Sequence, residues 1–248
     1  MIRILKLLFS MAALGCALPA FATWSLVQHP TKATCSGSSC AITVSSTGSN
    51  HVAIITVQLN TSSSVVISSV SGGGTWTHPA GCQQADAGGA DVDAAYTLAT
   101  SSGATSITVN LSATGGSNWS MGFEEASLTG TPSFDKCGVR DQSSSTTNPV
   151  GVSLSITGTN DFIVQSVRWG GTITCPMNSN PSGATYNSPC DAPGGNGIAG
   201  AINATTGNAP TWSSDNNSGP MNAIAIAEST SVVTCPPTVT MTGAGCGG

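Results

Sequence analysis

The most concentrated acidic chemistry lies in the run Asp86-Ala-Gly-Gly-Ala-Asp91-Val-Asp93. Asp91 and Asp93, two residues apart, share a face if the segment is a strand. Together with Asp86 and loop carbonyls they would offer the hard oxygen ligands that calcium takes, without the spacing of an EF-hand. Asp86, Asp91 and Asp93 are therefore the candidate metal site, and calcium is the one cofactor suggested. A solvated loop is the competing reading. Trp169 and Trp212 are the candidate binding residues, because both stand near strand ends beside small polar residues such as Ser213, Ser214 and Asp215. Exposed rings there would suit stacking on sugars. Large aromatics are more often buried, and Trp169 also falls on an expected core face.

Acid–base and nucleophilic chemistry finds less support. A serine triad needs a histidine oriented by a carboxylate and bonded to the nucleophile. The chain has His29, His51 and His78, no Gly-x-Ser-x-Gly elbow, and serines too numerous for one to stand out. The histidines read as surface or turn residues. Glu124 and Glu125 are adjacent, so on a strand they point to opposite faces and cannot flank one glycosidic bond. Glu125 shares the side of Trp119, Met121 and Phe123 and is expected to be partly buried. No catalytic residue is assigned.

The cysteines point to a compartment. Met1-Ile2-Arg3-Ile4-Leu5-Lys6, an apolar run from Leu7 to Leu18, and Ala20-Phe21-Ala22 have the layout of a secretory signal peptide cleaved after Ala22. Cys16, after Ala13-Leu14-Gly15, gives a lipoprotein site as the minor alternative. Beyond residue 22 the eight cysteines are even in number and show no tight metal-binding pairs, which favours disulfides. The expected pairs are Cys35–Cys40, Cys175–Cys190 and Cys235–Cys246 as local bridges, with Cys82–Cys137 by elimination. Past Ala22, Lys32, Lys136, Arg140 and Arg168 face eleven acidic residues, a net charge of −7 with neutral histidine. Four scattered cations cannot neutralise a run of phosphates, so nucleic acid is excluded as a partner. No later segment is apolar enough to span a bilayer.

The elements that would position these residues are strands. Short apolar runs rich in Val, Ile and Thr, separated by Gly, Ser and Asn, predict strands near 24–28, 40–46, 51–59, 64–70, 92–99, 104–112 and 118–128. A second set is predicted near 150–157, 161–169, 172–175, 184–188, 196–204, 209–214 and 221–229. The sets correspond. Thr47-Gly48-Ser49-Asn50 precedes His51-Val52-Ala53-Ile54-Ile55, and 110 residues later Thr157-Gly158-Thr159-Asn160 precedes Asp161-Phe162-Ile163-Val164-Gln165. At the same offset Gly74-Thr75-Trp76-Thr77 faces Ala184-Thr185-Tyr186-Asn187, with an aromatic ring expected to cap the same corner of each half. Ala53, Val57 and Leu59, like Ile163, Val167 and Trp169, mark a core face.

Gly74-Thr75-Trp76-Thr77, Ala95-Tyr96, Glu124-Glu125-Ala126-Ser127 and Asn160-Asp161-Phe162-Ile163 together resemble motifs of Ser/Thr/Gly-rich duplicated β-sandwich domains in predicted exported bacterial proteins. The resemblance spans roughly residues 24 to 229. It implies an all-β, disulfide-bonded antiparallel β-sandwich, jelly-roll or Ig-like, and no particular activity, since such domains mostly have none assigned. The expected organisation is a signal peptide over 1–22, a sandwich over 23–229 with pseudo-repeats 23–130 and 150–229, and a tail over 230–248. Two tandem sandwiches are the alternative. Charged residues are only 7% of the chain while apolar residues reach 39%, so an ordered core with a Ser/Thr/Asn surface is expected. The expected function is a non-catalytic extracellular binding or surface protein for a glycan or cell-surface component. A secreted glycan hydrolase working through Asp91 and Asp93, and a structural subunit of a surface assembly, are the alternatives.

Overall fold

Alternating and continuous apolar runs give fifteen strands among the described residues of the computed structural model, which are 23–61, 64–86, 88–178 and 194–229. The first five are β1 (Trp24–Gln28), β2 (Ala33–Ser36), β3 (Ser39–Thr43), β4 (Val52–Leu59) and β5 (Ile67–Ser71). Next come β6 (Gln84–Ala85), β7 (Asp91–Thr97), β8 (Ser106–Leu111), β9 (Ser117–Leu128) and β10 (Pro132–Thr146). The last are β11 (Asp161–Arg168), β12 (Ile173–Asn178), β13 (Asn196–Ala204), β14 (Thr211–Ser214) and β15 (Asn217–Glu228). The fold is all-β, every strand pairing is antiparallel, and no described helix is long and apolar enough to cross a membrane.

A six-stranded sheet runs β1-β9-β4-β7-β6, with β2 also paired to β9. A four-stranded sheet runs β10-β15-β11-β13. Smaller sheets are β3-β8-β5 and β12-β14. The burial of β4 explains how they stack. All eight of its residues are buried, because its two faces enter different cores. Ala53, Ile55, Val57 and Leu59 pack with Ile42, Ile107 and Val109 of the β3-β8-β5 sheet. Val52 and Ile54 pack instead with Phe162, Val164, Ile198, Ile224 and Ile226 of the four-stranded sheet. In the same way β11 sends Phe162 and Val164 to this middle core, and Ile163 and Val167 to a third core with Trp169, Ile173 and Trp212. The expected core face is therefore core, and so is its reverse. Strands buried on both sides read as continuous apolar runs, which alternation alone does not separate.

The segment between the two halves differs from expectation. Residues 129–149 read as a join, yet they contain β10, the longest strand at fifteen residues. Among the described residues it pairs with β15 alone, and all of its residues are half-buried or exposed. One-sided burial lets Asp135, Lys136, Arg140 and Asp141 sit within a strand whose sequence looks like a loop. In the opposite sense, the run 150–157 predicted as a strand makes only single bridges, Val150 to Thr211 and Leu154 to Gly207. The region 184–188 lies outside the described residues.

Two covalent links reinforce the stack. Cys35–Cys40 ties β2 to β3, and Cys82–Cys137 ties the segment before β6 to the middle of β10. Cys175–Cys190 and Cys235–Cys246 involve residues outside the described set, as do Cys16 and the 230–248 tail. Trp24 closes the structure from the start of β1. Its backbone N–H donates to Asn203 Oδ1 at 2.8 Å, and Asn203 Nδ2 donates to its carbonyl at 3.0 Å. Its indole N–H donates to the Asn160 carbonyl at 2.8 Å, and its ring lies 5.6 Å from that of Phe162.

Candidate functional site

Asp91 and Asp93 do share a face of β7, and both are fully buried. Each carboxylate accepts a backbone N–H from the segment leading into β5. Val65 donates to Asp91 Oδ2 and Ile67 to Asp93 Oδ2, both at 2.8 Å. Gln83 Nε2 adds a 2.8 Å bond to Asp91 Oδ1. The two side chains thus serve as hydrogen-bond partners for amides that no neighbouring strand satisfies. Burial pushes the Asp91 carboxyl up to about 7, against the pull of its amide donors. Asp86 folds onto its own turn, accepting the amides of Gly88 at 2.9 Å and Ala90 at 2.8 Å. Among the described residues no group of three or more His, Cys, Asp or Glu side chains is placed to hold a metal ion.

Asp93 has a further partner. His78 Nε2 lies 2.8 Å from Asp93 Oδ1. That hydrogen bond raises the His78 pKa above the ordinary imidazole value, while burial works against it. His78 and Trp76 follow β5 and line a small pocket of about 80 Å³ together with Ile67, Ser68, Ser69 and Val70 of β5 and Ala95 of β7. The lining is braced. Trp76 Nε1 donates to the Gly72 carbonyl at 2.7 Å, and the main chain at Thr77 pairs with Tyr96 of β7. Ser68 Oγ donates to the Asn110 carbonyl at 3.0 Å, and Asn110 Nδ2 donates to Ser69 Oγ at 3.1 Å. An aromatic ring and an imidazole oriented by a buried carboxylate thus meet beside β5 in one small concavity.

No family model, curated protein or solved structure matches the chain. The chemistry of the side chains is what remains to read.

Each histidine pairs with a buried carboxylate; His78 is exposed and His51 half-buried, in keeping with the surface reading, while the His29 side chain is buried. His51 Nδ1 lies 2.7 Å from Glu125 Oε1, which also accepts the Gly48 amide at 2.9 Å, while Gln28 Nε2 donates to Glu125 Oε2 at 2.5 Å. His29 Nδ1 lies 3.2 Å from Glu124 Oε1 with both side chains buried. Glu124 and Glu125 leave β9 on opposite faces as their adjacency requires, and Glu125 is wholly buried rather than partly so. Asp135 of β10 accepts the Thr157 amide at 2.7 Å and its hydroxyl at 2.5 Å, with the buried Asp161, 110 positions after His51, nearby. Desolvation, with Asp135 alongside, pushes Asp161 up to about 7, and against its own partial burial the bonds from Thr157 hold Asp135 below the usual carboxylate range.

Trp169 and Trp212 correct the expectation of sugar stacking. Both are 0% exposed in the third core, so neither presents a ring face to a ligand. The partly open tryptophan is Trp76, which packs against the first core on one side, as the expected cap does. Its proximity to His78 in Thr75-Trp76-Thr77-His78 was the available signal; the contribution of Ser68 and Ser69 depends on β5 lying across from it. A second depression of about 260 Å³ is lined by Lys32, Thr34, Asn118, Ser120, Gly194 and Asn196. There Lys32 Nζ donates to the Asn196 carbonyl and Asn196 Nδ2 donates to Ser120 Oγ, each at 2.8 Å.

Proposed function

We propose that this chain is an exported, non-catalytic binding or surface protein that engages a glycan or another cell-surface component. The observation that carries this reading is the pocket lined by Trp76, His78 and β5, where an aromatic ring stands beside a hydrogen-bonding imidazole with no Lys or Arg among the lining residues. Such sites are concave, with a few placed polar groups that fix orientation. The carboxylates nearest to it, Asp91 and Asp93, are engaged with backbone amides and His78, which favours binding over a pair of carboxylates acting on a glycosidic bond.

Export is supported by the leader-like first 22 residues and by the two disulfides, whose persistence suits an oxidising compartment. The architecture we infer is a duplicated β-sandwich. Support comes from the shared strand order β9-β4-β7 and β15-β11-β13, and from the matching turns before β4 and β11.

A glycan array probed with the secreted protein tests the reading, together with N-terminal sequencing. Selective glycan retention by a chain beginning at Thr23 is the expected result. An array without hits argues against sugars. Hydrolysis of a retained glycan that is lost in Asp91→Asn or Asp93→Asn would replace the reading with the hydrolase one.

A further inference from the structure

The geometry points to a specific ligand class at this pocket: we propose that it binds a single neutral sugar ring, stacked on Trp76 and hydrogen-bonded to His78. The inference rests on the binding-protein reading and assigns it a site. Size comes first. At about 80 Å³ the pocket is far below the roughly 300–1,000 Å³ of drug-sized sites, so a ligand engages it with one edge of a ring resting at its mouth on Trp76, and not as a buried chain.

Charge then separates neutral from acidic ligands. No Lys or Arg lines the pocket, and the ionisable groups facing it are His78 and, behind it, Asp93. An anionic ligand would meet Asp93 across a single imidazole, whereas a neutral polyol meets no net repulsion. With Nε2 committed to Asp93, Nδ1 is the ring nitrogen left for a ligand. In neutral imidazole Nδ1 accepts a hydrogen bond, and in imidazolium it donates one. A sugar hydroxyl can do either, so its binding survives titration of His78. A carboxylate or phosphate can only accept, and would need the protonated ring.

The other four tryptophans are 0–1% exposed, so Trp76 is the accessible fluorophore and reports on the pocket directly. The experiment titrates the secreted full chain with methyl glycosides of neutral hexoses, and separately with glucuronate and inorganic phosphate. Trp emission and amide chemical shifts are followed at pH values from about 5 to 8. The expected result is a neutral glycoside that shifts Trp76 emission and the Ser68, Ser69 and Ala95 amides, with Kd changing less than about twofold over that range. Trp76→Ala should weaken it by about tenfold or more, and Trp76→Phe far less. The shift map on the unmodified chain stands even if Trp76→Ala folds poorly.

Binding of the anions alone, or affinity for the neutral glycoside that collapses as pH rises, overturns the ligand class. Glycan retention on the array that Trp76→Ala leaves unchanged overturns this site while the binding-protein reading survives. Absence of all glycan binding by the unmodified chain overturns the site and its ligand class, and leaves the binding-protein reading to a partner other than a sugar.

Discussion

Single residues carry more of this fold than its polar composition suggests. A side chain on Gly48 would place its Cβ 2.0 Å from His51 Cε1, and one on Gly158 would place it 1.9 Å from Asp161 Oδ1. At both turns the residue three positions on folds back over the glycine, so the matching Thr-Gly-x-Asn turns share a steric reason. Gly48→Ala and Gly158→Ala should each destabilise by about 1–3 kcal/mol in urea titrations, the cost of overpacking a filled site. The carboxyls add a pH dependence whose sign follows from their direction of shift. Asp91 and Asp161 hold their protons to about 7 when folded and release them near the ordinary 3.8 when unfolded. Between those values the folded chain binds more protons, so raising the pH favours unfolding. The stability these two groups contribute is complete below the unfolded pKa and is lost as pH passes through about 7. Asp135 acts in the opposite sense at its lowered pKa, so the comparison belongs above about pH 4. The urea midpoint should fall between about pH 4.5 and 8, and Asp161→Asn should flatten that fall.

At the scale of elements, the two disulfides differ in what they hold. Cys35–Cys40 closes a separation of 5 residues within a hairpin-like turn, whereas Cys82–Cys137 closes 55 and joins the two large sheets. Loop-closure entropy assigns about 2 kcal/mol to the first and about 4 kcal/mol to the second. Replacing both cysteines of the longer link by alanine should therefore lower stability more than the same change at the shorter one, measured by chemical denaturation without reductant. The strands themselves were legible wherever Val and Ile runs marked them, as in β4, β8, β11 and β15. β10 was not, because an edge strand with one wet face can carry Asp, Lys and Arg without breaking its ladder. The pocket was half legible. Trp76 and His78 lie together in sequence, but their braces, Asp93 and Asn110, reach them only through sheet pairing, which local patterns do not encode. The pairing of each histidine with a buried acid was hidden for the same reason.

Over the whole molecule, three cores share two sheets. Ile54 and Phe162 belong to the middle core, and their strand neighbours Ile55 and Ile163 belong to the outer two. Phe162→Ala should cost about 3–5 kcal/mol. Because β4 and β11 pass strain to both sides, the loss should appear as one shifted transition rather than two. Coincident near-ultraviolet circular dichroism and fluorescence melts, which report Trp119 in one outer core and Trp212 in the other, check this.

The anchoring of Trp24 bears on how such a chain is made. Its amide and carbonyl are held by a residue 179 positions downstream, and its indole by one 136 positions downstream. A polypeptide threaded out amino end first emerges with that tryptophan unlatched, and it stays so until Asn203 has followed. Locking of the native state is thereby deferred until nearly the entire length has been delivered. Under the export proposed above, the latch that closes last is the stretch that left first.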